Sequence, residues 1–298
     1  MDYISLKRLE LDKILSGVCE YAVLDSTKRT LCGCIPSVST DEARTLLAFT
    51  EECDKLLYKY GTGKIEYFSD LTEVLARAEK GSVLSCAELL DVCGMLRSVR
   101  TAHENVVKID DESIILMRER AEKLYFDKNL EDDITDKIIS REAVSDRASD
   151  KLYSIRSGIR SLNEKIRAKL NEYLSKDADY LRDGIVTIRN DRFVIPVKAE
   201  YKNRVRGFVH DRSQTGATFF IEPEHVLELN NELIALTIDE RQEVEAVLRS
   251  LSERVGGLAA ALFADEKILS EMDGFYARAE YGYSLKCVKP KVNNRGYI

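Results

Sequence analysis

The most regular pattern of apolar residues in the chain begins at about residue 150. Its seven positions are spaced alternately three and four residues apart: Leu152, Ile155, Ile159, Leu162, Ile166, Lys169 and Tyr173. The first five of them are apolar. A second pattern of this kind consists of Val226, Leu229, Leu233 and Leu236 and resumes at Val244, Val247, Leu251 and Val255. Heptad spacing is typical of long helices that pack side by side. We therefore predict two helices, over 150–176 and 224–255, that run antiparallel.

The segment between these helices has the alternation of apolar and polar residues that predicts β-strands. Candidate strands cover residues 185–189, 192–198, 205–210 and 217–221, and Asn190-Asp191 is a plausible two-residue hairpin turn. In the second strand Phe193, Ile195 and Val197 should share one face, because side chains alternate across a strand. Two long helices that flank these strands predict a helical arm with a small antiparallel sheet at its tip.

The first 120 residues read as several short helices without β alternation. Capping boxes from Ser39 to Glu42 and from Ser85 to Glu88 mark two helix starts. Gly61-Thr62-Gly63 and Gly81 mark helix ends. This part is expected to be a helical packing module, and the fold class is therefore mainly α.

Composition narrows the class of protein. The 298 residues are 44% hydrophobic and 33% charged, which excludes a disordered chain. There is no run of about 18 apolar residues and no signal-like N-terminus, so neither a membrane span nor secretion is expected. The seven cysteines are odd in number and lie apart in sequence from the three histidines, which favours reduced thiols and no metal site. These features together indicate a cytoplasmic protein.

Charge is distributed unevenly along the chain. The formal net charge is −7 at pH 7, yet residues 185–212 hold seven Lys and Arg against three Asp and Glu, which gives +4 there and leaves −11 elsewhere. A basic segment on an acidic protein can contact a phosphate backbone. The alternative is an ordinary solvated hairpin, because edge strands often carry Lys and Arg. The candidate nucleic-acid contacts are Arg189, Arg192, Lys198, Lys202, Arg204, Arg206 and Arg212.

Catalytic chemistry has weak support in the sequence. An acid–base or metal constellation could be drawn from His210, Asp211, Glu222 and Glu224, but no second histidine or nucleophile stands nearby with supporting spacing. The loop 213–216 could cradle an anion or simply close a hairpin, with Gly216 at positive φ. Gly61-Thr62-Gly63-Lys64 lacks the spacing of a phosphate loop. We expect no catalytic residue, no metal site and no ATP site in this chain.

Two stretches of the predicted sheet resemble a known family. Residues 186–201 read VTIRNDRFVIPVKAEY and residues 207–223 read GFVHDRSQTGATFFIEP. Both resemble the signature of the MutS-two branch, bacterial paralogues of the MutS mismatch-repair ATPases. Residues 229–233, 146–156 and 78–85 are similar to that branch as well, so the resemblance touches nearly the whole chain.

The resemblance implies four parts. They are a helical core and lever base at 1–120, an ascending lever-arm helix at 121–180, a β-rich clamp tip at 181–223, and a returning arm at 224–298 that leads to an ATPase domain. Family members continue into an ABC-type ATPase with Walker motifs, and many end in a Smr domain associated with nicking nuclease activity. No position here matches those motifs, so we expect a portion of a longer protein. ATP and Mg²⁺ are expected for the full-length protein only.

The resemblance and the charge pattern together favour a non-catalytic nucleic-acid clamp with its lever. The branch is associated with branched or mismatched DNA, with suppression of recombination, and with rescue of collided ribosomes. DNA or ribosomal RNA is thus the expected partner, and the full-length protein is expected to be a homodimer even where this portion is a monomer. The alternative is a coiled-coil scaffold for protein interaction or dimerisation. A hydrolase that uses His210 and Glu222 is the third hypothesis.

Overall fold

The structure of the chain, a computed structural model, describes residues 7–37, 39–176, 178–181 and 184–293. Residues 1–6, which bear on the expected absence of a secretion signal, and residues 294–298, where the expected ATPase domain would follow, lie outside these ranges. Contacts within the chain define two compact units. Unit 1 comprises Met1–Ala143 and Leu248–Ile298, and unit 2 comprises Val144–Val247. The four-part division drawn from the resemblance stays a prediction.

Helices dominate the described residues, which confirms the expectation of a mainly α chain. The N-terminal helices are α1 Leu11–Tyr21, α2 Asp25–Cys32, α3 Thr40–Asp54, α4 Thr72–Glu79, α5 Cys86–Val107, α6 Leu116–Ala121 and α7 Lys128–Lys137. Both predicted N-caps are present. Ser85 and Glu88 form the full reciprocal box at α5. At α3, Ser39 accepts from the N–H of Glu42, but the Glu42 carboxylate accepts from the Ser37 hydroxyl instead of closing the box.

Buried carboxylates accept hydrogen bonds from backbone N–H groups at the starts of two helices in unit 1. Glu52 accepts from the N–H groups of Leu116 and Met117 at 3.1 and 2.8 Å, at the beginning of α6. Asp273 does the same for the residues before α2, with the Leu24 N–H at 2.9 Å. The first N–H groups of a helix have no partner within the helix, so an internal carboxylate satisfies them and favours the positive end of the helix dipole. These contacts fix where the short helices begin.

Asp265 makes unit 1 sensitive to pH. Its side chain is buried, Oδ1 accepts from the Tyr125 N–H at 3.0 Å, and Oδ2 has no partner among the described residues. Burial raises the pKa of this carboxyl from 3.8 to about 6, against the lowering effect of the Tyr125 hydrogen bond. Since the folded state then binds the proton more tightly than the unfolded state, the contribution of Asp265 to stability is greatest below the unfolded pKa and is lost as the pH rises through about 6.

We expect Asp265→Asn to remove this pH dependence. The asparagine oxygen still accepts from Tyr125, but no charge has to be buried. Urea unfolding between about pH 4 and pH 7 should show the wild-type chain losing up to about 3 kcal/mol relative to the variant over this range. Parallel stability curves for the two proteins would show that Asp265 is not the titrating group.

A second prediction concerns two adjacent glycines in the long C-terminal helix. A Cβ at Gly256 would lie 2.5 Å from the carbonyl oxygen of Ala78, whereas a Cβ at Gly257 would meet nothing within 4 Å. Gly256→Ala should therefore destabilise unit 1 by about 1–3 kcal/mol through backbone overlap. Gly257→Ala should stabilise it by about 0.5–1 kcal/mol, because alanine is the better helix former. Thermal melts of the pair measure both effects, and equal shifts would contradict the close approach.

Two long helices form unit 2 together with a sheet. They are α8 Asp150–Lys176 and α9 Leu227–Ser284, and α9 continues into unit 1 beyond Val247. The predicted bounds of α8 are confirmed, while α9 extends well past the predicted residue 255. Arg156, early in α8, donates to Glu240 of α9 at 2.7 Å, and the ring of Tyr173, late in α8, stacks on His225 just before α9 with 5.2 Å between ring centres. Within this unit the two helices therefore run antiparallel.

The buried stripe of α8 departs from the predicted heptad at its end. Leu152, Ile155, Leu162 and Ile166 are buried as expected, but the next buried positions are Leu170 and Leu174. Lys169 is exposed and Tyr173 is only partly buried. A straight α-helix has 3.6 residues per turn, so its buried stripe moves ahead of a 3.5-residue repeat after several turns. The predicted positions Lys169 and Tyr173 are thus one residue early.

The sheet of unit 2 has four antiparallel strands, β3 Thr187–Arg189, β4 Arg192–Lys198, β5 Gly207–Arg212 and β6 Thr218–Pro223. Their order across the sheet is β3-β4-β6-β5. Asn190 and Asp191 both have positive φ, 52° and 62°, which confirms the two-residue hairpin turn. β3 and β5 each begin two residues later than predicted, and β6 begins one residue later. A 3₁₀ helix that was not predicted, Ala199–Arg204, lies in the connection before β5.

One face of β4 joins the helices in a single core. Phe193, Ile195 and Val197 pack in one cluster with Ile166 and Leu170 of α8, and with other buried residues of both helices. Val194 and Pro196, on the opposite face of the strand, are buried too. The alternation in the sequence suggested one buried face, but the strand is covered on both.

Two local features were not predicted from the sequence. A short hairpin forms between β1 Ile138–Ser140 and β2 Ala143–Val144, although no strand was expected before residue 185. Strands this short carry too few residues to show an alternation. A π-helical turn, Lys55–Lys59, follows α3. None of the described helices is both long enough and apolar enough to cross a lipid bilayer.

Candidate nucleic-acid interface

Four of the seven predicted contact residues present free positive charge on the sheet of unit 2. They are Lys202, Arg204, Arg206 and Arg212, all exposed. Among the described residues none of them has a carboxylate partner within 4.0 Å. Lys202 lies in the 3₁₀ helix Ala199–Arg204, with its ammonium 4.7 Å from the centre of the Phe219 ring. Arg204 is the last residue of the same 3₁₀ helix, Arg206 directly precedes β5 and Arg212 ends it, so one edge strand and the turn before it position all four.

The remaining three predicted residues are engaged within the protein. Arg189 lies 3.3 Å from Asp211 and over the Phe220 ring at 4.3 Å. Arg192 donates to Glu222 at 2.8 Å and to Asn231 at 2.7 Å, and its side chain is only 21% exposed. The Lys198 ammonium donates to the carbonyl oxygen of Asp179 at 3.0 Å. The charges of Arg189 and Arg192 are therefore paired with carboxylates of the same sheet.

A buried polar network ties the sheet to α9. Glu222 of β6 is 1% exposed and accepts from Arg192, from Asn230 Nδ2 at 2.7 Å, and pairs with His210 Nε2 at 2.6 Å. Asn230 is fully buried, donates to the Phe193 carbonyl at 3.1 Å and accepts from the Phe193 N–H at 3.2 Å. A buried polar group is tolerated when its hydrogen bonds are satisfied, and such networks favour one arrangement over others. The network therefore fixes how α9 leaves the sheet.

A similar network lies at the start of α8. Arg156 donates to Asp146 at 2.6 Å, to the Val144 carbonyl at 2.8 Å and to Glu240 at 2.7 Å. Hydrogen bonds from Arg156 and then Arg160 lower the pKa of the Asp146 carboxyl. The segments 146–156 and 229–233, both similar to the MutS-two branch, thus supply the polar contacts that hold α8, α9 and the sheet together.

The side chains of His210 and Glu222 meet in space, and the other partners of Glu222 come from β4 and α9. Both oxygens of Glu222 are occupied, by Arg192 and Asn230 on one side and His210 on the other. Asp211 pairs with Arg189 instead of joining them. Within the described ranges, no three His, Cys, Asp or Glu side chains are grouped to hold a metal ion. Glu222 is a structural acceptor in this arrangement.

Neither candidate phosphate-binding loop has the geometry its chemistry needs. In 213–216 the Gly216 N–H donates to the Ser213 carbonyl at 2.8 Å, and Ser213 Oγ accepts from the Thr218 N–H at 3.1 Å, so the loop is closed on itself as a hairpin turn. Gly216 has φ 71°, as expected for such a turn. The segment 61–64 does not lead into a helix, and Lys64 lies 3.3 Å from Glu280. The residues of 61–64 therefore do not fit a nucleotide.

The sequence did not single out the apolar part of this surface. Phe208 of β5 is 57% exposed and lies between Arg206 and Arg212 in the chain, and Ile188 of β3 is 51% exposed. An exposed aromatic ring among cations can stack on a nucleobase. The available signal was the aromatic at a strand position next to two arginines, but only the strand order makes β5 an edge. We name Lys202, Arg204, Arg206, Phe208 and Arg212 the basic edge.

Comparison with known proteins gives relatives over the full chain. An endonuclease MutS2 of Clostridium acetobutylicum is 39% identical over 299 positions, covering 100% of this chain and 38% of the relative. A putative endonuclease MutS2 of Bacillus subtilis is 37% identical, covering 98% of this chain and 38% of the relative. No protein-family model matches the chain. The chain spans 38% of the length of these curated relatives, and it belongs to the MutS2 family as a match to the N-terminal portion of its members.

Proposed function

We propose that this chain is the non-catalytic, nucleic-acid-binding clamp and lever region of a MutS2-type ATPase. In this proposal the four-stranded sheet is the clamp, and α8 with the first part of α9 is the arm that carries it. The single observation that carries the proposal is the basic edge: four exposed cations without carboxylate partners among the described residues, on a chain whose net charge is −7.

The chemistry of the basic edge suits a phosphate backbone rather than a base sequence. Lys and Arg side chains that release counterions from phosphates provide affinity without reading the sequence. Sequence readout in the major groove usually needs a helix or ribbon with side chains aimed at base edges. The basic edge lies on a strand and a 3₁₀ turn, and Phe208 adds a ring that can stack on an unpaired base. Branched DNA and ribosomal RNA both offer such phosphates and unpaired bases.

The arm supports a mechanical role in the full-length protein. The Phe193 backbone is bonded to Asn230 of α9, and β4 shares a core with α8 and α9, so the sheet is rigidly attached to both helices. In a full-length MutS2-type homodimer, ATP-driven movement would act through these helices on the clamp. The longer protein's ATPase, its Mg²⁺ and its nuclease belong to the parts that this chain does not match.

The scaffold hypothesis is less well supported by the contacts of unit 2. The two heptad stripes face each other, with Leu162 and Ile166 of α8 in the same core cluster as Leu233 of α9. Stripes that are covered within one chain do not offer a seam to a partner helix. We therefore expect the isolated chain to sediment as a monomer at micromolar concentration.

The deciding experiment is a salt series on the purified chain. A labelled DNA duplex, a four-way DNA junction and ribosomes are titrated at several salt concentrations, and sedimentation is run on the same samples. We expect binding whose log affinity falls with log salt at a slope of about −3 to −4, as four phosphate contacts predict. Supercoiled plasmid incubated with the chain and Mg²⁺ should stay intact. Salt-independent binding, or a tight dimer without nucleic-acid affinity, would contradict the clamp proposal and support the scaffold hypothesis.

A further inference from the structure

Two cysteines on neighbouring helices of unit 1 touch each other. Cys19 lies near the end of α1, and Cys32 is the last residue of α2. Their Sγ atoms are 3.4 Å apart. The spacing of the cysteines does not predict this pair, since the only two that lie close together along the chain are Cys32 and Cys34. The packing of α1 against α2, in which Cys19 Sγ also lies 3.7 Å from the carbonyl oxygen of Lys28, brings the two thiols together.

The two thiols differ in their surroundings. Cys19 is half-buried and packs with the small cluster of Val18, Ala22, Leu31 and Ala277. Burial, followed by the contact with Cys32, raises the pKa of the Cys19 thiol. Cys32 is exposed to solvent. An exposed thiol beside a sheltered one is the arrangement in which the first reacts with an oxidant and the second resolves the product.

The other cysteines lack such a partner. Cys53, Cys86 and Cys93 are buried, and Cys287 is exposed. Cys34 is half-buried with its Sγ 3.9 Å from a guanidinium nitrogen of Arg278. Among the cysteines, which all lie in the described part of the chain, the contact between Cys19 and Cys32 is the one Sγ–Sγ approach within hydrogen-bond distance. This geometry separates the pair from the five remaining thiols.

We propose that Cys19 and Cys32 are an oxidative modification site, a dithiol that peroxide converts into an intramolecular disulfide joining α1 to α2. Hydrogen peroxide is the oxidant. The Cys32 thiolate attacks one peroxide oxygen, the O–O bond breaks, and the other oxygen leaves as water after taking a proton, which leaves a sulfenic acid on Cys32. The Cys19 sulfur then attacks the Cys32 sulfur, the S–O bond breaks, and the hydroxide leaves as water with the Cys19 proton.

The product constrains a defined part of the fold. The disulfide closes a loop through the turn between α1 and α2, whose Val23 and Leu24 N–H groups are held by Asp273 of α9. A cross-link that fits the native arrangement restricts the unfolded chain and favours the folded one. Oxidation should therefore hold α1 against α2 and protect this pair of helices from proteolysis. A thiol reductant of low molecular weight reverses the bond by exchange.

The test is a peroxide time course on the reduced full chain, with alkylation of free thiols at each point and mapping by mass spectrometry. Trypsin places Cys19 in peptide 14–28 and both Cys32 and Cys34 in peptide 30–44. We expect these peptides to become linked, with the mass of the protein falling by that of two hydrogen atoms. The same link should form in Cys34→Ser and be absent from Cys32→Ser and Cys19→Ser. It should form at least about tenfold faster in the folded chain than in urea, because proximity drives it.

Other outcomes would overturn the proposal. A link that persists in Cys32→Ser would assign the reaction to Cys34. Oxidation of Cys19 and Cys32 to separate sulfinic acids, or no faster than that of exposed Cys287, would show that the contact does not direct the chemistry. Cys32 is exposed, so Cys32→Ser is expected to fold like the parent, and a circular-dichroism melt of each variant checks this.

Discussion

Replacing Lys202, Arg204 and Arg206 with glutamate should remove most of the affinity of this chain for nucleic acid while leaving its fold intact. Each change turns a cation that has no carboxylate partner among the described residues into an anion, so the basic edge loses its net positive charge. Binding to duplex, junction and ribosome should weaken together, because phosphates are common to all. The slope of log affinity against log salt should flatten by about 2–3.

A matched control separates the position of the charges from their number. Lys80, Lys123 and Lys267 of unit 1 are exposed and have no carboxylate partner within 4.0 Å among the described residues. Their replacement by glutamate changes the net charge of the chain by the same amount. We expect the control to keep most of the affinity and its salt slope, and both triple variants to melt within a few degrees of the parent, since surface substitutions cost about 0.5 kcal/mol or less each. Equal loss of binding in both variants would mean that total charge, not the basic edge, governs the interaction.

Leu170→Asp should unfold unit 2, whereas Lys169→Asp should have little effect. Leu170 is fully buried in the core shared by α8, α9 and β4, and Lys169 beside it is exposed. A carboxylate at 170 would be buried without a partner and would also lose the packing of the leucine. We expect at least about 3 kcal/mol of destabilisation at 170 and less than about 0.5 kcal/mol at 169.

Urea unfolding followed by far-ultraviolet circular dichroism measures this difference. The pair also tests the position of the buried stripe, because the strict heptad would bury residue 169 and the observed helix buries residue 170. A larger loss for Lys169→Asp would favour the heptad and contradict the observed packing.

Local patterns predicted the elements of unit 2 well. The bounds of α8 and β4 and the turn at Asn190 and Asp191 follow from heptad spacing, alternation and turn residues, which are all short-range signals. The end of the α8 stripe did not follow, because it depends on the true helical repeat over many turns. The hairpin of β1 and β2 did not either, because its strands are too short to show a pattern.

The site could be predicted only as a set of charges. All seven cations were evident from the sequence, but which of them are free depends on strand pairing. Arg189 of β3 meets Asp211 of β5, and Arg192 of β4 meets Glu222 of β6, so each ion pair joins two strands that are not consecutive in the chain. The exposure of Phe208 likewise depends on β5 being an edge. Long-range register, not residue type, decides these points.

The division of unit 1 between the two ends of the chain has a consequence for its synthesis on the ribosome. Asp265 and Asp273 hold Tyr125 and Leu24, and the Ser252 hydroxyl accepts from the Leu84 N–H at 2.8 Å. The first 143 residues therefore leave the exit tunnel without the side chains that complete their core. Unit 2 is contiguous in sequence and can finish folding as soon as it emerges, whereas unit 1 must wait for the last fifty or so residues. We therefore expect its apolar helix faces to stay exposed until then, so that an arrest of translation before the end of α9 should leave a nascent chain prone to aggregation.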